Sequence, residues 1–313
     1  MNISSKLVGA GLAFLGAMSL AAVSDSALAG STSQPGEIVG YTWAPLPQGL
    51  YFATTASYGN RRGATNNSED FVNIPVIVWS TPWTFLGGRI ESYVAVPSRS
   101  VTIPNATGPG TPTAHVSGIA LPFAAVGEAW DLGNGWGISE FVGGYAPSNG
   151  LNGLVDYFTF NERLGVTWAQ GPWSLTGHVI YGITGNNAST GPGGGVGLKT
   201  APNYVDLDLT GTYTIGKWSF GAVAFGSWDV SHISFTGAAG TGGTYAKQSQ
   251  FAVGPFVGYN FGPVILQTFV TRDVYVRNYV DPVGIKSYET RGWLRVIVPL
   301  WNPPAPAPVV AKY

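Results

Sequence analysis

From residue 48 onward the sequence divides into twelve segments of about ten to fourteen residues with period-two hydrophobic alternation. Their connections alternate between very short and long. The segments fall at about 48–58, 71–80, 85–97, 117–130, 134–145, 156–169, 172–184, 203–215, 217–230, 247–261, 263–276 and 288–301. TPWT, LGN, QGP, IGK and FGP close every second connection. The others are long and polar or Gly-rich: 59–70, 98–116, 146–155, 185–202, 231–246 and 277–287. Segments of this length exceed the ~5–6 residues usual in a soluble sheet. Short turns at one end and long loops at the other predict an all-β fold: a closed antiparallel transmembrane β-barrel of about 12 strands, with periplasmic turns and extracellular loops. An even strand number puts both termini at the short-turn end.

Side-chain parity points the same way. In the ninth segment Trp218, Phe220, Ala222, Ala224, Trp228 and Val230 share one face. Trp218 to Trp228 is ten residue steps, ~33 Å along a strand, which projects to the ~25 Å of an apolar band between aromatic girdles. Trp173 is placed in the same girdle. Apolar residues face outward and charges face inward, the reverse of a soluble barrel. In lipid such a sheet must close on itself, because every backbone group needs a partner within the protein. Two segments resist this assignment. Glu162 falls on the outward face of the sixth, which implies either a bulge or an end outside the lipid. In the eleventh, Arg272 and Asp273 point opposite ways.

Composition supports a membrane surface: charged residues are 10 % of the 313-residue chain, against roughly 25 % in a soluble domain. A net charge of −1 gives no electrostatic footprint for nucleic acid. There is no cysteine, and the three histidines lack metal-ligand spacing, so neither a cofactor nor a metal is expected.

Residues 1–29 read as a secretory signal: Lys6, the apolar run 7–23, and cleavage after Ala27-Leu28-Ala29. Residues 30–47 are expected to be a periplasmic N-terminal segment, 48–301 the barrel, and 302–313 a Pro/Ala-rich periplasmic tail. The lipid bilayer is one expected partner, and the barrel-assembly machinery is another during insertion.

The residues assigned to the lumen as candidates for a permeation path are Arg89, Glu91, Tyr93, Arg163, His178, Tyr204, Asp206, Asp208, Glu289, Arg291, Trp293 and Arg295, with Tyr157 beside them. Charges of both signs are present, so ion pairing of buried groups competes with a permeation role for each. A mixed lumen with aromatic walls suits small neutral or aromatic solutes better than phosphate or sugar acids.

PQGLYFATTASY (47–58), LGGRIESYVAVP (86–97), PNYVDLDLTGTYTIGKWSFGAVA (202–224) and TRGWLRVIVPL (290–300) resemble the outer-membrane family named for the meta-pathway of phenol degradation. The resemblance runs over nearly the whole mature length. It implies an outer-membrane channel for passive uptake of small hydrophobic or aromatic compounds, plausible as a feeder of aromatic breakdown, and it carries no catalytic motif. Two other classes compete. One is a structural or adhesive barrel acting through its loops. The other is a barrel enzyme, which would need a base beside a nucleophile on the outward wall. His115, His178 and His232 are the available bases; the first and last lie at loop edges and His178 has lumen parity.

Overall fold

A computed structural model of the chain describes residues 31–303 apart from 64–66, 104–112, 149–150, 152–155, 188–200, 233, 237–241, 245 and 280–285. The expected signal sequence and all but the start of the expected C-terminal tail lie outside the described residues.

Twelve antiparallel strands form the wall. In chain order they are β1 (Gly49–Arg62), β2 (Asn67–Phe85), β3 (Gly88–Ala95), β6 (Phe123–Gly133), β7 (Trp136–Tyr145), β8 (Tyr157–Gln170), β9 (Trp173–Asn187), β10 (Tyr204–Ile215), β11 (Trp218–Asp229), β14 (Ser249–Asn260), β15 (Ile265–Arg277) and β16 (Tyr288–Trp301). Each pairs with its neighbour, and β1 pairs with both β2 and β16, so the twelve-strand wall closes on itself. Closure satisfies the backbone in a setting where lipid offers no hydrogen bonds. A hairpin of β4 (Ser98–Ile103) and β5 (Ala114–Ile119) extends the sheet from the loop end of β2, and β12 (Ser234–Thr236) pairs with β13 (Gly242–Thr244) in a separate small hairpin.

The tight turns owe their form to positive-φ residues: Gly216 (φ 60°) closes β10–β11, Gly171 (φ 58°) β8–β9, and Gly133-Asn134-Gly135 β6–β7. L-residues pay a steric cost there that glycine avoids. The β2–β3 turn differs from expectation. It is Leu86-Gly87 (φ 46° and 84°), and TPWT lies inside β2, across an irregularity between Ser80 and Thr84. Pro82 has no N–H for the ladder, so the pairing breaks there without reversing the chain. The expected loop at 59–70 is largely strand as well, since β1 and β2 stay paired out to Arg62 and Asn67. Much of 98–116 belongs to the β4–β5 hairpin.

Parity in the wall follows the alternation. Trp173, Trp218, Phe220, Leu175 and Leu209 are exposed on the outside, and Trp228 lies half-buried over Gly226 on the same face. Trp173 meets Tyr213 edge-on at 4.7 Å and Trp218 meets Tyr259 at 4.6 Å, so aromatic pairs stand on the outer face near the short turns. The ambiguity in β15 resolves as a bulge. Phe251 faces Tyr275 and Ala252 faces Asp273, so Val274 is extra; Asp273 is buried inside and Arg272 exposed outside. Glu162 needs no bulge, because its ladder is regular on both sides. It faces outward with Glu140 and Glu128 on the two preceding strands, and the latter two sit directly opposite each other. This acidic group interrupts the apolar band.

Residues 31–48 lie inside the barrel, where the sequence suggested a periplasmic segment below it. Ser31, Ser33, Gln34, Ile38 and Val39 are all buried. The strap descends along β10, meeting Asp206, then Asp208, then Thr210, and continues past Thr167 and Glu91 into β1.

Candidate functional site: a strapped lumen

Two successive turns shape the upper strap. Glu37 N–H donates to Gln34 O (2.9 Å) and Tyr41 N–H to Ile38 O (3.1 Å), with Gly36 and Gly40 both at φ 86°. These are type II turns, the first with Pro35 and Gly36 at the positions that favour each. The turns separate the backbone into an amide side and a carbonyl side. Gly36 and Ile38 N–H donate to the Asp208 carboxylate (3.1 and 3.2 Å), and Gly40 N–H donates to Thr210 Oγ1 (2.7 Å). On the other side Arg295 of β16 donates to the carbonyls of Glu37 (2.5 Å) and Val39, to Thr55 Oγ1 (2.8 Å) and to Gln267 Oε1 (3.1 Å). Its guanidinium lies 3.8 Å from the centre of the Tyr41 ring. A planar five-donor group suits this forked carbonyl contact.

Further along, Arg163 Nη2 pairs with Glu37 (2.9 Å) and donates to Tyr145 Oη (3.0 Å). Asn161 donates to Tyr204 Oη (3.0 Å), which accepts a longer bond from Ser33 N–H (3.3 Å). Trp43 stacks on His178 at 4.2 Å and sits where a side chain at Gly165 would be, 2.4 Å from that glycine's absent Cβ. Low on the strap, Leu46 N–H donates to Glu91 (2.8 Å), while Arg89 donates to Thr81 O (2.9 Å) at the rim.

A second polar cluster spans the lumen on the long-loop side. Arg291 bridges Asp70 (2.8 Å) and Glu289 (2.6 Å), Arg99 joins Asp70 (2.7 Å), and Arg61 reaches Asp273 (3.1 Å) and Glu289 (3.7 Å). Each acid here touches a guanidinium, the condition under which buried charge is tolerated. Beyond the wall, Tyr279 stacks over Arg61 (4.2 Å), and burial raises its hydroxyl well above the ordinary phenol range. Between the two clusters Trp293 stacks on Phe269 (5.1 Å) and meets Phe225 edge-on (6.0 Å).

The structure thus divides the residues assigned to the lumen. Glu91, Arg163, His178, Tyr204, Asp206, Asp208 and Arg295 contact the strap. Glu289 and Arg291 belong to the upper ion-pair cluster, Trp293 to the aromatic stack between, and Arg89 to the rim. Tyr93 joins Phe123 and Phe141 in the wall of the remaining space. Most of these charges are engaged with partners and do not line an open path. Glu37, Tyr41 and Trp43 of the strap, and Arg61, Asp70, Arg99 and Asp273 of the upper cluster, join these residues in the lumen without having been expected there. Pro35-Gly36 is a legible turn signal; nothing in the alternation of the wall marks what packs into it.

The space that remains is a cavity of about 620 Å³ between the lower strap and the wall. Tyr41, Trp43, Tyr93, Phe123 and Phe141 line its inner part, and it runs down to Lys217 and Gly262 in the short turns. Its walls are mainly apolar and aromatic, with Arg163 and Glu91 among the few charges.

The family model described as "Putative MetA-pathway of phenol degradation" matches residues 52–289. The chain belongs to this family. Among solved structures, the COG4313 outer membrane channel from Pseudomonas putida F1 is 14 % identical, with 85 % of this chain and 99 % of that chain covered at a TM-score of 0.62. The transport unit of the autotransporter AIDA-I from Escherichia coli is 11 % identical over 90 % and 98 % of the two chains, at a TM-score of 0.50. These are likenesses of fold. No curated protein matches the sequence. Family and fold together make the protein a bacterial outer-membrane β-barrel.

Proposed function

We propose that the barrel is a channel for passive passage of small hydrophobic or aromatic compounds, including substrates of aromatic breakdown. The observation that carries this reading is the aromatic-walled cavity inside the lumen of a barrel of the phenol-degradation family. A concave, mostly apolar site with a few placed polar groups suits a compact hydrophobic solute. The flat faces of Trp43, Tyr93 and Phe141 offer stacking surfaces, and Arg163 and Glu91 offer polar anchors for a ring substituent such as a hydroxyl. The strap crosses the path between Asp208 and Arg295, so passage requires its displacement. Selection then rests on width and lining groups, with no energy source.

A channel is favoured over an enzyme by where the histidines stand. His178 lies under Trp43 in the lumen, and His115 is on the β4–β5 hairpin bonded to Thr102 (3.1 Å). His232 is exposed just past the end of β11, outside any strand. None of the three sits on the outward wall, where a lipid-cleaving barrel needs its base.

Uptake of a labelled phenol-sized aromatic at low micromolar supply tests the function. Cells lacking the gene are expected to take it up several-fold more slowly than complemented cells, and to match them when supply is abundant. Equal initial rates at scarce supply refute the reading.

A further inference from the structure

An inward-facing row crosses the wall beside the strap. Ser139 of β7 stands opposite Gly165 of β8, Gly165 opposite His178 of β9, and His178 opposite Asp208 of β10. Gly165 leaves a gap in this row, and the Trp43 ring fills it, 2.4 Å from the glycine's absent Cβ. Ala44 packs in the same way against Gly137 (2.6 Å), two residues before Ser139. The indole stacks on the His178 imidazole (4.2 Å between centres, 18° between planes) and meets Phe141 edge-on (5.7 Å). The seat therefore fits a flat ring. Its polar groups are left over. The Ser139 hydroxyl, both His178 ring nitrogens and the Trp43 indole N–H are buried without a hydrogen-bond partner among the described residues. Ser139 and His178 are only 3 % and 2 % exposed. Buried polar groups in folded proteins are nearly always bonded, and one left unbonded costs its desolvation outright. Here such atoms gather around one glycine and the ring that covers it.

Packing alone holds the indole, while the Trp43 backbone N–H donates to Thr167 Oγ1 (2.8 Å). The aromatic cavity reaches Trp43, Phe141 and Ser139. His178 lies beneath the indole and takes no part in the cavity's walls. Ser139 and His178 stand two strands apart, about 10 Å between backbones, a gap that their side chains and one ring substituent can bridge. A neutral imidazole has one donor and one acceptor, and a serine hydroxyl is both. A ring hydroxyl between them can donate to one and accept from the other. A methyl group in the same place can do neither. We propose that the seat of Trp43 is the binding site of the passing solute, that it takes a flat aromatic ring bearing a hydroxyl, and that the solute enters by displacing the indole. This rests on the channel reading above and deepens it. Trp43 is a resident stand-in for the solute, and the cavity is the approach to its seat. The incoming ring keeps the stacking on His178 and adds the bonds that the indole leaves unmade. Binding thus lifts the lower strap from β8, so opening is coupled to the solute that is to pass.

The test uses the whole protein purified in detergent with fluorotryptophan in place of tryptophan. The fluorine resonance of Trp43 is assigned by its loss in Trp43→Phe. Phenol and toluene, close in size and shape, are titrated at matched free aqueous concentrations. Phenol is expected to shift the Trp43 resonance saturably, with a midpoint about tenfold or more below that of toluene, since a site with unpaired buried groups rejects the analogue that lacks the hydroxyl. Ser139→Ala and His178→Phe, each checked for assembly by its shift on heating in SDS, should bring the two midpoints to within about threefold of each other. Should His178→Phe fail to assemble, Ser139→Ala decides alone. A Trp43 resonance that phenol leaves in place overturns the proposal, and the channel reading survives that result if the same protein passes labelled phenol into vesicles. Equal midpoints for phenol and toluene in the wild type also overturn it, as does a tenfold preference for phenol that persists in Ser139→Ala.

Discussion

Replacing Arg295 with alanine removes the clamp on the carbonyl side of the strap and should loosen it measurably. Two of the lost bonds go to strap carbonyls, those of Glu37 and Val39. Hydrogen bonds involving a charged group contribute about 1.5–3 kcal/mol each, so the pair is worth about 3–6 kcal/mol. The guanidinium–Tyr41 contact adds about 0.5–2 kcal/mol. Water entering the space left by the side chain resolvates both carbonyls, which favours the lower end of the range. At ~1.4 kcal/mol per tenfold, the undocked population should rise by about a hundredfold. The absence of cysteine from the chain makes a clean reporter possible. Gln34→Cys places a single thiol on the buried strap. Its rate of reaction with a polar thiol reagent follows the open population when reclosing is fast. Adding Arg295→Ala should speed that reaction about a hundredfold, while the barrel still shifts on heating in SDS. A change of less than about threefold refutes the assignment of Arg295 as the clamp.

Three other outcomes follow from the same geometry. Val296→Arg puts a charge on the outward face next to Arg295 and should cost about 2–4 kcal/mol near mid-bilayer, read as lost assembly or a lower urea midpoint. Glu140→Leu removes one of three outward acids and should raise the urea midpoint, by about 1 kcal/mol given that lipid-face acids cost less than bases; a lowered midpoint would show that the acidic group is stabilising. Gly165→Val fills the place of Trp43, whose ring lies 2.4 Å from the missing Cβ, and should leave the barrel assembled while raising strap reactivity in the Gln34→Cys assay.

The wall was legible because its signals are local. Parity in β11 and the glycine of the IGK turn are readable within a dozen residues, and both reappear as outward Trp218 and Trp228 and as the positive φ of Gly216. Errors came where backbone chemistry broke a simple period. Pro82 produces an irregularity inside β2 that resembles a turn, and the extra Val274 in β15 breaks the alternation after Asp273, so that Asp273 faces inward with Phe269 and Thr271 and Val276 faces inward beyond the bulge. The polar stretch at 59–70 resembled a loop because charges such as Arg61 and Asp70 are polar in any setting. Paired with Asp273 and Arg291 from more than two hundred residues away, they become a strand-borne cluster. The strap was the least legible part. It has no alternation, and its anchors are lumen-facing residues of β3, β8, β10 and β16. The parity that put those residues inside could not show what they would hold.

Flux through the purified barrel is the most direct measurement. Vesicles with a lipopolysaccharide outer leaflet, which resists hydrophobic solutes by itself, would be loaded with wild-type protein or with a variant lacking residues 31–46. Entry of a labelled phenol-sized aromatic should exceed that of protein-free vesicles for the wild type and rise further without the strap, with no ion gradient or nucleotide present. Rates equal to those of protein-free vesicles for both proteins would contradict a channel role for this barrel.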